Sequence, residues 1–404
     1  MLAVLRNTTY RCLFIAHCVA LIGTGILTVA LGLLAYDIGG GDAGVILGIA
    51  MMVKMIAYVF LTPFLSALSA RFQSKNVLVF SDVLRAGAAL LLPLVTDAWQ
   101  IYVLIFVLQC ASALFTPAFQ ALIPDIVEDD EQYTHALTLS RISYDTESLA
   151  SPLIAAALLT VMDVNLLFLG TAFGFLLSAG IILRTRLPRH EGKTDRSFGR
   201  RLVEGLHAFL SRRELRGLLG LNLALSASTS VVVVTTVIVV KEDLEGDSTD
   251  VALLLACFGV GSLITALQAP RLVRRWADHD VMFTTVLPMP VVLLTLGLSL
   301  TWLPVGVLRG VAPVIWFLFG LLTSSVLTLS GRLLRRFSTT RSRNAVFSAY
   351  FSLSHGFLLV MYPTAGTLGA QLGVGTAATI LSVVSLTGLI VCFAVWRGRL
   401  LCTR

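Results

Sequence analysis

Residues 11–36 read RCLFIAHCVALIGTGILTVALGLLAY: after Arg11, nothing stronger than His17 and two threonines interrupts the apolar run. A helix of about twenty such residues crosses the roughly 30 Å of hydrocarbon in a bilayer. A helix on a soluble core would be shorter and would show a polar face. The pattern recurs outward along the chain, at 43–68, 77–96, 99–121, 136–162 and 164–185. It resumes at 216–240, 250–272, 281–301, 306–334, 345–371 and 374–396. The expectation is an all-α membrane protein with twelve transmembrane helices in two six-helix bundles, residues 1–185 and 216–404. A polar linker, 186–215, joins them.

Composition agrees. Of 404 residues 56% are hydrophobic and 13% charged, against about a quarter charged in an ordinary soluble domain. Mean hydropathy is +0.88. Lys and Arg are retained on the cytoplasmic side of a membrane. They gather in alternate breaks: Arg6 and Arg11, Arg71 and Lys75, Arg184 to Arg216, Arg271 to Arg275, Arg332 to Arg343, and Arg397 onward. The opposite breaks hold Asp37, Asp42, Asp97, Asp163 and the stretch Lys241 to Asp250, with Lys241 and Arg309 as their cations. Both termini are therefore expected in the cytoplasm. The acidic segment Pro124 to His135 is expected as a cytoplasmic loop, since acidic residues weigh little in this rule. The basic balance belongs to membrane anchors, and no nucleic-acid partner is expected.

Other classes lack their signatures. The six cysteines form no C-x-x-C pair and read as small apolar residues. There is no phosphate loop of the G-x-x-x-x-G-K-[ST] type, no H-E-x-x-H and no G-x-S-x-G. No cofactor is expected, and no enzyme. In the linker, Phe198, Leu202, Leu206, Phe209 and Leu210 recur at helical spacing among basic residues. They fit either an amphipathic helix on the membrane surface or a plain basic linker. The halves echo one another: Ser151-Pro152 and Tyr362-Pro363 are each followed by small residues, at offsets that parallel repeats would give. Parallel halves around a midplane site are a transporter architecture.

The residues then support a resemblance to a family. Ser81-Asp82-Val83-Leu84-Arg85-Ala86 is similar to the S-D-x-x-R-A opening of span three in the exporter branch of the major facilitator superfamily, the branch that includes the enterobactin exporter. Phe115 to Asp125 resembles that branch's F-x-P-A-x-x-A-x-x-P end of span four, and Ser151-Pro152 stands where its antiporter G-P does. The loop after span two, Ser66 to Leu78, keeps Arg71 and Lys75 of the family's G-x-x-x-D-R-x-G-R-R pattern but has Ala70 at its acid. Span eleven, from Phe351 through His355 to Gly366, resembles nickel-resistance members. The resemblance implies secondary active transport by alternating access: an ion-gradient-coupled exporter of a small organic molecule such as a siderophore, drug or metabolite, or alternatively a divalent-metal exporter. A non-transporting sensor or assembly factor is the remaining rival. A monomer in a bacterial inner membrane, with a proton or another ion as the coupling partner, goes with it.

Ionisable groups within spans are costly and so are functional candidates. Asp82 and Arg85, three apart, fit a structural or gating pair. Arg141 and Asp145, four apart, share a face of span five. Glu147 faces elsewhere, near the middle of the span; it suits a coupling or substrate carboxylate, or a buried ion pair. Lys54 lies too deep in span two to reach an interface. His355 is central in span eleven, where it could ligate a metal, shuttle a proton or simply hydrogen-bond. Whether any metal binds, the residues do not say. Lys54, Glu147, His355, Tyr144 and Asn222 are the substrate or coupling candidates. Asp82, Arg85, Arg141, Asp145, Arg71 and Lys75 are the gating charges, and Pro152 and Pro363 the bending points. Tyr36, Tyr58, Gln109, Trp316 and Tyr350 are further candidates to line a cavity, and Gly25 and Gly366 are among the glycines that allow close helix approach.

Overall fold

A computed structural model describes residues 2–61, 72–127, 130–188, 206–273, 275–338 and 343–400, and among these the chain is helical with no strand. The helices are α1 Thr8–Gly39, α2 Ala43–Ile56, α3 Ser74–Leu91, α4 Ala98–Ile126, α5 Asp130–Leu159, α6 Val164–Arg184 and α7 Arg213–Ile238. Then follow α8 Ser248–Leu272, α9 Asp278–Val286, α10 Met289–Trp302, α11 Val305–Arg336, α12 Arg343–Leu372 and α13 Val374–Leu400. Two π-helical turns extend the set, Ala57–Leu61 after α2 and Val239–Asp243 after α7.

Ten stretches among the described residues are long and apolar enough to span a bilayer. The first, Thr8–Leu61, holds two spans, because Gly40 at φ +50 opens a 3-10 turn, Gly40–Asp42, between α1 and α2. α5 is the further span; its acidic and basic residues, Glu147 among them, lower its apolarity. The result is the expected twelve-helix architecture, with α9 and α10 forming one span.

Backbone polar groups in hydrocarbon must bond within the segment, and this overrides local propensity. Residues 229–240, TSVVVVTTVIVV, are β-branched almost throughout and would suit a strand in water; here they are helical. Two expectations are corrected. Much of the acidic segment 124–135 is helical rather than loop: α4 runs to Ile126 and α5 begins at Asp130. The ninth span begins three residues early, at Asp278, and breaks at Leu287-Pro288, since Pro288 and Pro290 supply no backbone donor.

The chain divides into two compact units, residues 1–38 with 56–196, and 39–55 with 197–404. In the first, α3 packs on α4 and α6. α1 is pinned by hydroxyls: Tyr10 to the Ala136 carbonyl (3.0 Å) and Thr171 to the Gly23 carbonyl (3.1 Å). In the second, α7 is the most buried candidate span, against α12 and α13, while α8 packs on α11. Lipid offers no hydrophobic drive for helices to associate, so close packing of small residues must supply it. Gly44 on α2 and Gly366 on α12 show this: a side chain at Gly366 would overlap the Gly44 carbonyl.

Of the linker, residues 206–210 are helical, with Phe209 buried and stacked on Tyr350. Phe198 and Leu202 lie outside the described residues.

Candidate functional site

The first unit contains a buried charge network on α3. Ser81, Asp82 and Arg85 fall on one face by helical spacing, and that face is turned into the bundle. Arg85 donates from Nη2 to Asp82 Oδ1, and Ser178 on α6 donates to Asp82 Oδ2 at 2.7 Å. The guanidinium lies over two rings, Phe115 on α4 at 4.5 Å and Phe175 on α6 at 4.6 Å. His17 on α1 stacks on Phe119 with centroids 4.2 Å apart. A buried ion pair survives only when its charges are further bonded, and the hydroxyl and the two ring faces do that here.

Glu147 sits half-buried on α5 of the same unit, against the backbone of α1 at Gly25. A methyl group on Gly25 would overlap Glu147 Oε1 and the Ser151 hydroxyl. Ser151, fully buried, donates to the Ile22 carbonyl at 3.4 Å. The phenol of Tyr58, in the π-helical turn after α2, lies within electrostatic range of both Glu147 and Arg85. The structure thus joins Asp82 and Arg85 on α3 and sets Glu147 against the α1 backbone of the same unit. Lys75 lies apart, at the start of α3, where its ammonium donates to the Leu183 and Thr185 carbonyls (2.8 and 2.9 Å) and caps the C-terminal end of α6. Arg71 lies outside the described residues, as do the side chains of Arg141, Tyr144, Asp145 and Pro152 on α5.

The second unit holds the other candidates. Lys54 on α2 acts electrostatically on His355 of α12. His355 Nδ1 is 2.8 Å from the Phe351 carbonyl, so Nδ1 carries the hydrogen and Nε2 the lone pair. Its ring stacks on Phe351, centroids 3.9 Å apart. Asn222 is buried on α7; it donates to the Leu218 carbonyl at 2.8 Å and exchanges bonds with the Tyr350 hydroxyl at 3.2 and 3.4 Å. Those bonds fix α12 to α7 and orient Tyr350. Trp316 is fully buried and donates to Thr236 at 2.9 Å, so it is a packing residue rather than a cavity wall. Pro363 lies inside α12. Among the described residues no group of three or more His, Cys, Asp or Glu could hold a metal ion.

Sequence reasoning named Asp82, Arg85, Glu147 and Lys54 because charge inside a span is conspicuous. It missed the Phe115–Arg85–Phe175 stack, the Ser178 bond and the pairing of Gly25 with Glu147. Each joins residues far apart in the chain, and a serine or a phenylalanine in a span carries no signal of its own.

Residues 1–396 match the transmembrane secretion effector family. The chain belongs to that family of major facilitator transporters. It is 24% identical over 209 residues to a macrolide efflux protein A of Streptococcus pyogenes, covering 50% of this chain and 51% of that one. The chain thus matches about half the length of that curated relative. Among solved structures, a bacterial homologue of the human lysosomal transporter Spinster, inward-facing and unoccupied, is similar with a TM-score of 0.76 at 11% identity, over 97% of both chains. A POT family transporter in complex with 5-aminolevulinic acid gives a TM-score of 0.75 at 14% identity, over 98% of this chain and 96% of that one. These likenesses establish the fold. The chain is an integral membrane protein of this family, and its family and fold relatives are transporters rather than enzymes.

Proposed function

We propose that this family member exports a small organic molecule from the cytoplasm by alternating access, driven by an ion gradient. The observation that carries the reading is α12. It is the least apolar and the least buried of the candidate spans. A helix facing lipid needs apolar cover, and one inside a bundle would be buried; α12 meets neither condition. It carries Tyr350, Phe351, Ser354 and His355, a mixture of ring faces and hydrogen-bonding groups suited to an amphipathic organic solute. The macrolide efflux relative supports an organic substrate, and a macrolide is the first compound to test.

In this reading α12 lines the solute's route, with His355 and Lys54 contacting substrate and Asn222 holding Tyr350 in place. Tyr144 is a further contact. Glu147 carries the coupling proton. Asp82, Arg85, Arg141, Asp145, Arg71 and Lys75 hold or gate the closed state, and Pro152 and Pro363 let α5 and α12 bend. The two halves, 1–185 and 216–404, are joined by the linker 186–215, and a monomer lies in a bacterial inner membrane with both termini in the cytoplasm. Purified protein in vesicles with an imposed pH gradient tests this, using a radiolabelled macrolide and, in parallel, nickel. Macrolide flux that collapses with the gradient, and is lost in Glu147→Gln while the protein stays folded, is expected. Nickel flux without macrolide flux would make the protein a metal exporter; undiminished gradient-driven flux in Glu147→Gln would remove that residue from coupling.

A further inference from the structure

In the first unit α1 and α6 run antiparallel along one another. Thr171 donates to the Gly23 carbonyl at 3.1 Å, and a methyl group on Gly174 would rest 3.6 Å from the Val19 carbonyl. Passing from Thr171 to Gly174 on α6 therefore means passing back from Gly23 to Val19 on α1. The same register, continued, sets Ile181 opposite Cys12, and Arg184 and Thr185 opposite Thr8 and Thr9. There the close packing gives way to a cavity of about 370 Å³, lined by those residues and Arg186. Small-molecule sites run from roughly 300 to 1,000 Å³.

The cavity has two chemistries. Cys12 and Ile181, both half-buried, give it an apolar wall on the side of the bundle's middle. Arg184 and Arg186, both exposed, stand towards the helix ends with the hydroxyls of Thr8 and Thr9. α6 ends at Arg184, and the extended backbone of Thr185 (φ −82, ψ 133) lets the second arginine return to the same cavity. Among the described residues no carboxylate lines the cavity, and neither arginine forms an ion pair. The negative end of the α6 dipole would repel an anion, but Lys75 covers it by donating to the Leu183 and Thr185 carbonyls. Guanidinium groups match phosphate oxygens two at a time, and anionic lipids attract Lys and Arg at a membrane surface.

We propose that this cavity is a binding site for one anionic phospholipid. The phosphate oxygens accept from Arg184, Arg186 and the two threonine hydroxyls, and the glycerol and upper acyl chain lie along Cys12 and Ile181. A free phosphate would use the cations but not the apolar wall. The cavity also lies where α1 begins to span and α6 stops, the level at which headgroups sit. The lipid bridges α1 and α6 beyond the reach of their glycine contacts.

Full-length protein in neutral detergent micelles is titrated with phosphatidylglycerol, phosphatidylcholine or inorganic phosphate, and bound adducts are counted by native mass spectrometry. The wild type should hold one phosphatidylglycerol more tightly than phosphatidylcholine. Arg184→Gln with Arg186→Gln should weaken that binding about tenfold or more. Arg335→Gln with Arg397→Gln, which removes the same charge from exposed positions of the second unit, should leave it unchanged. Cys12→Trp, which fills the apolar part and keeps both arginines, should weaken it too, and is read alone should the arginine pair fold poorly. Equal retention of the two lipids by the wild type overturns the proposal, as do equal losses in the two arginine pairs. Phosphatidylglycerol held unchanged by Cys12→Trp, or inorganic phosphate bound as tightly as the lipid, overturns it in favour of a plain anion site.

Discussion

Ser178 on α6 donates a 2.7 Å hydrogen bond to Asp82 on α3, and the same carboxylate accepts Arg85 with its other oxygen. One fully buried acid therefore ties two helices and balances a cation held by Phe115 and Phe175. Removing the carboxylate takes from Arg85 its ion-pair partner on α3 and from Ser178 its acceptor at once, which makes the network testable.

Asp82→Ala should destabilise the protein by about 3–5 kcal/mol, the usual result of leaving a buried charge uncompensated. The double variant Asp82→Leu with Arg85→Leu should recover most of that loss, since apolar side chains of similar volume often replace a buried pair at little cost. Thermal unfolding in detergent compares the three proteins. Equal instability of the single and double variants would show that packing, not charge, dominates at this site.

Ser178→Ala should cost less, about 1.5–3 kcal/mol for a hydrogen bond to a charged group. Its effect should largely vanish when Asp82 is already alanine, because the two residues act through one bond. A double-mutant cycle measures this, and strict additivity would contradict it.

Gly366→Val should abolish transport and lower the unfolding temperature, as its side chain would overlap the Gly44 carbonyl. Gly356, on the same helix α12, has nothing near the position a side chain would take, so Gly356→Ala should be neutral. A comparable loss in both would mean that α12 needs glycine for a reason other than its approach to α2.

Lys75→Met should lower stability by about 0.5–1.5 kcal/mol, since it strips the cation from two carbonyls at the end of α6. Lys75→Arg retains a donor and the charge, and should behave as the wild type does in unfolding. A transport defect in Lys75→Met without any change in stability would assign the residue to gating rather than to capping.

Much of this was legible before any coordinates. Twenty-residue apolar runs such as 11–36 admit one solution in a bilayer, the helix, because no other open structure satisfies its own backbone. The spacing of Asp82 and Arg85, and the depth of Glu147, likewise follow from 3.6 residues per turn. The boundaries moved at two places: α5 already begins at Asp130, and Pro288, which has no backbone donor, breaks a run that is apolar on both sides.

The sequence by itself determined the twelve-helix count and which charges had to be exceptional, since both depend on apolarity and period along a single segment. Only the tertiary structure decided what those charges meet: Ser178 and two aromatic rings around the α3 pair, and the Gly25 backbone beside Glu147. In lipid a helix hides little from water by choosing one neighbour over another. Partner choice therefore rests on shape and a few hydrogen bonds between residues distant in sequence, and neither is written in any one span.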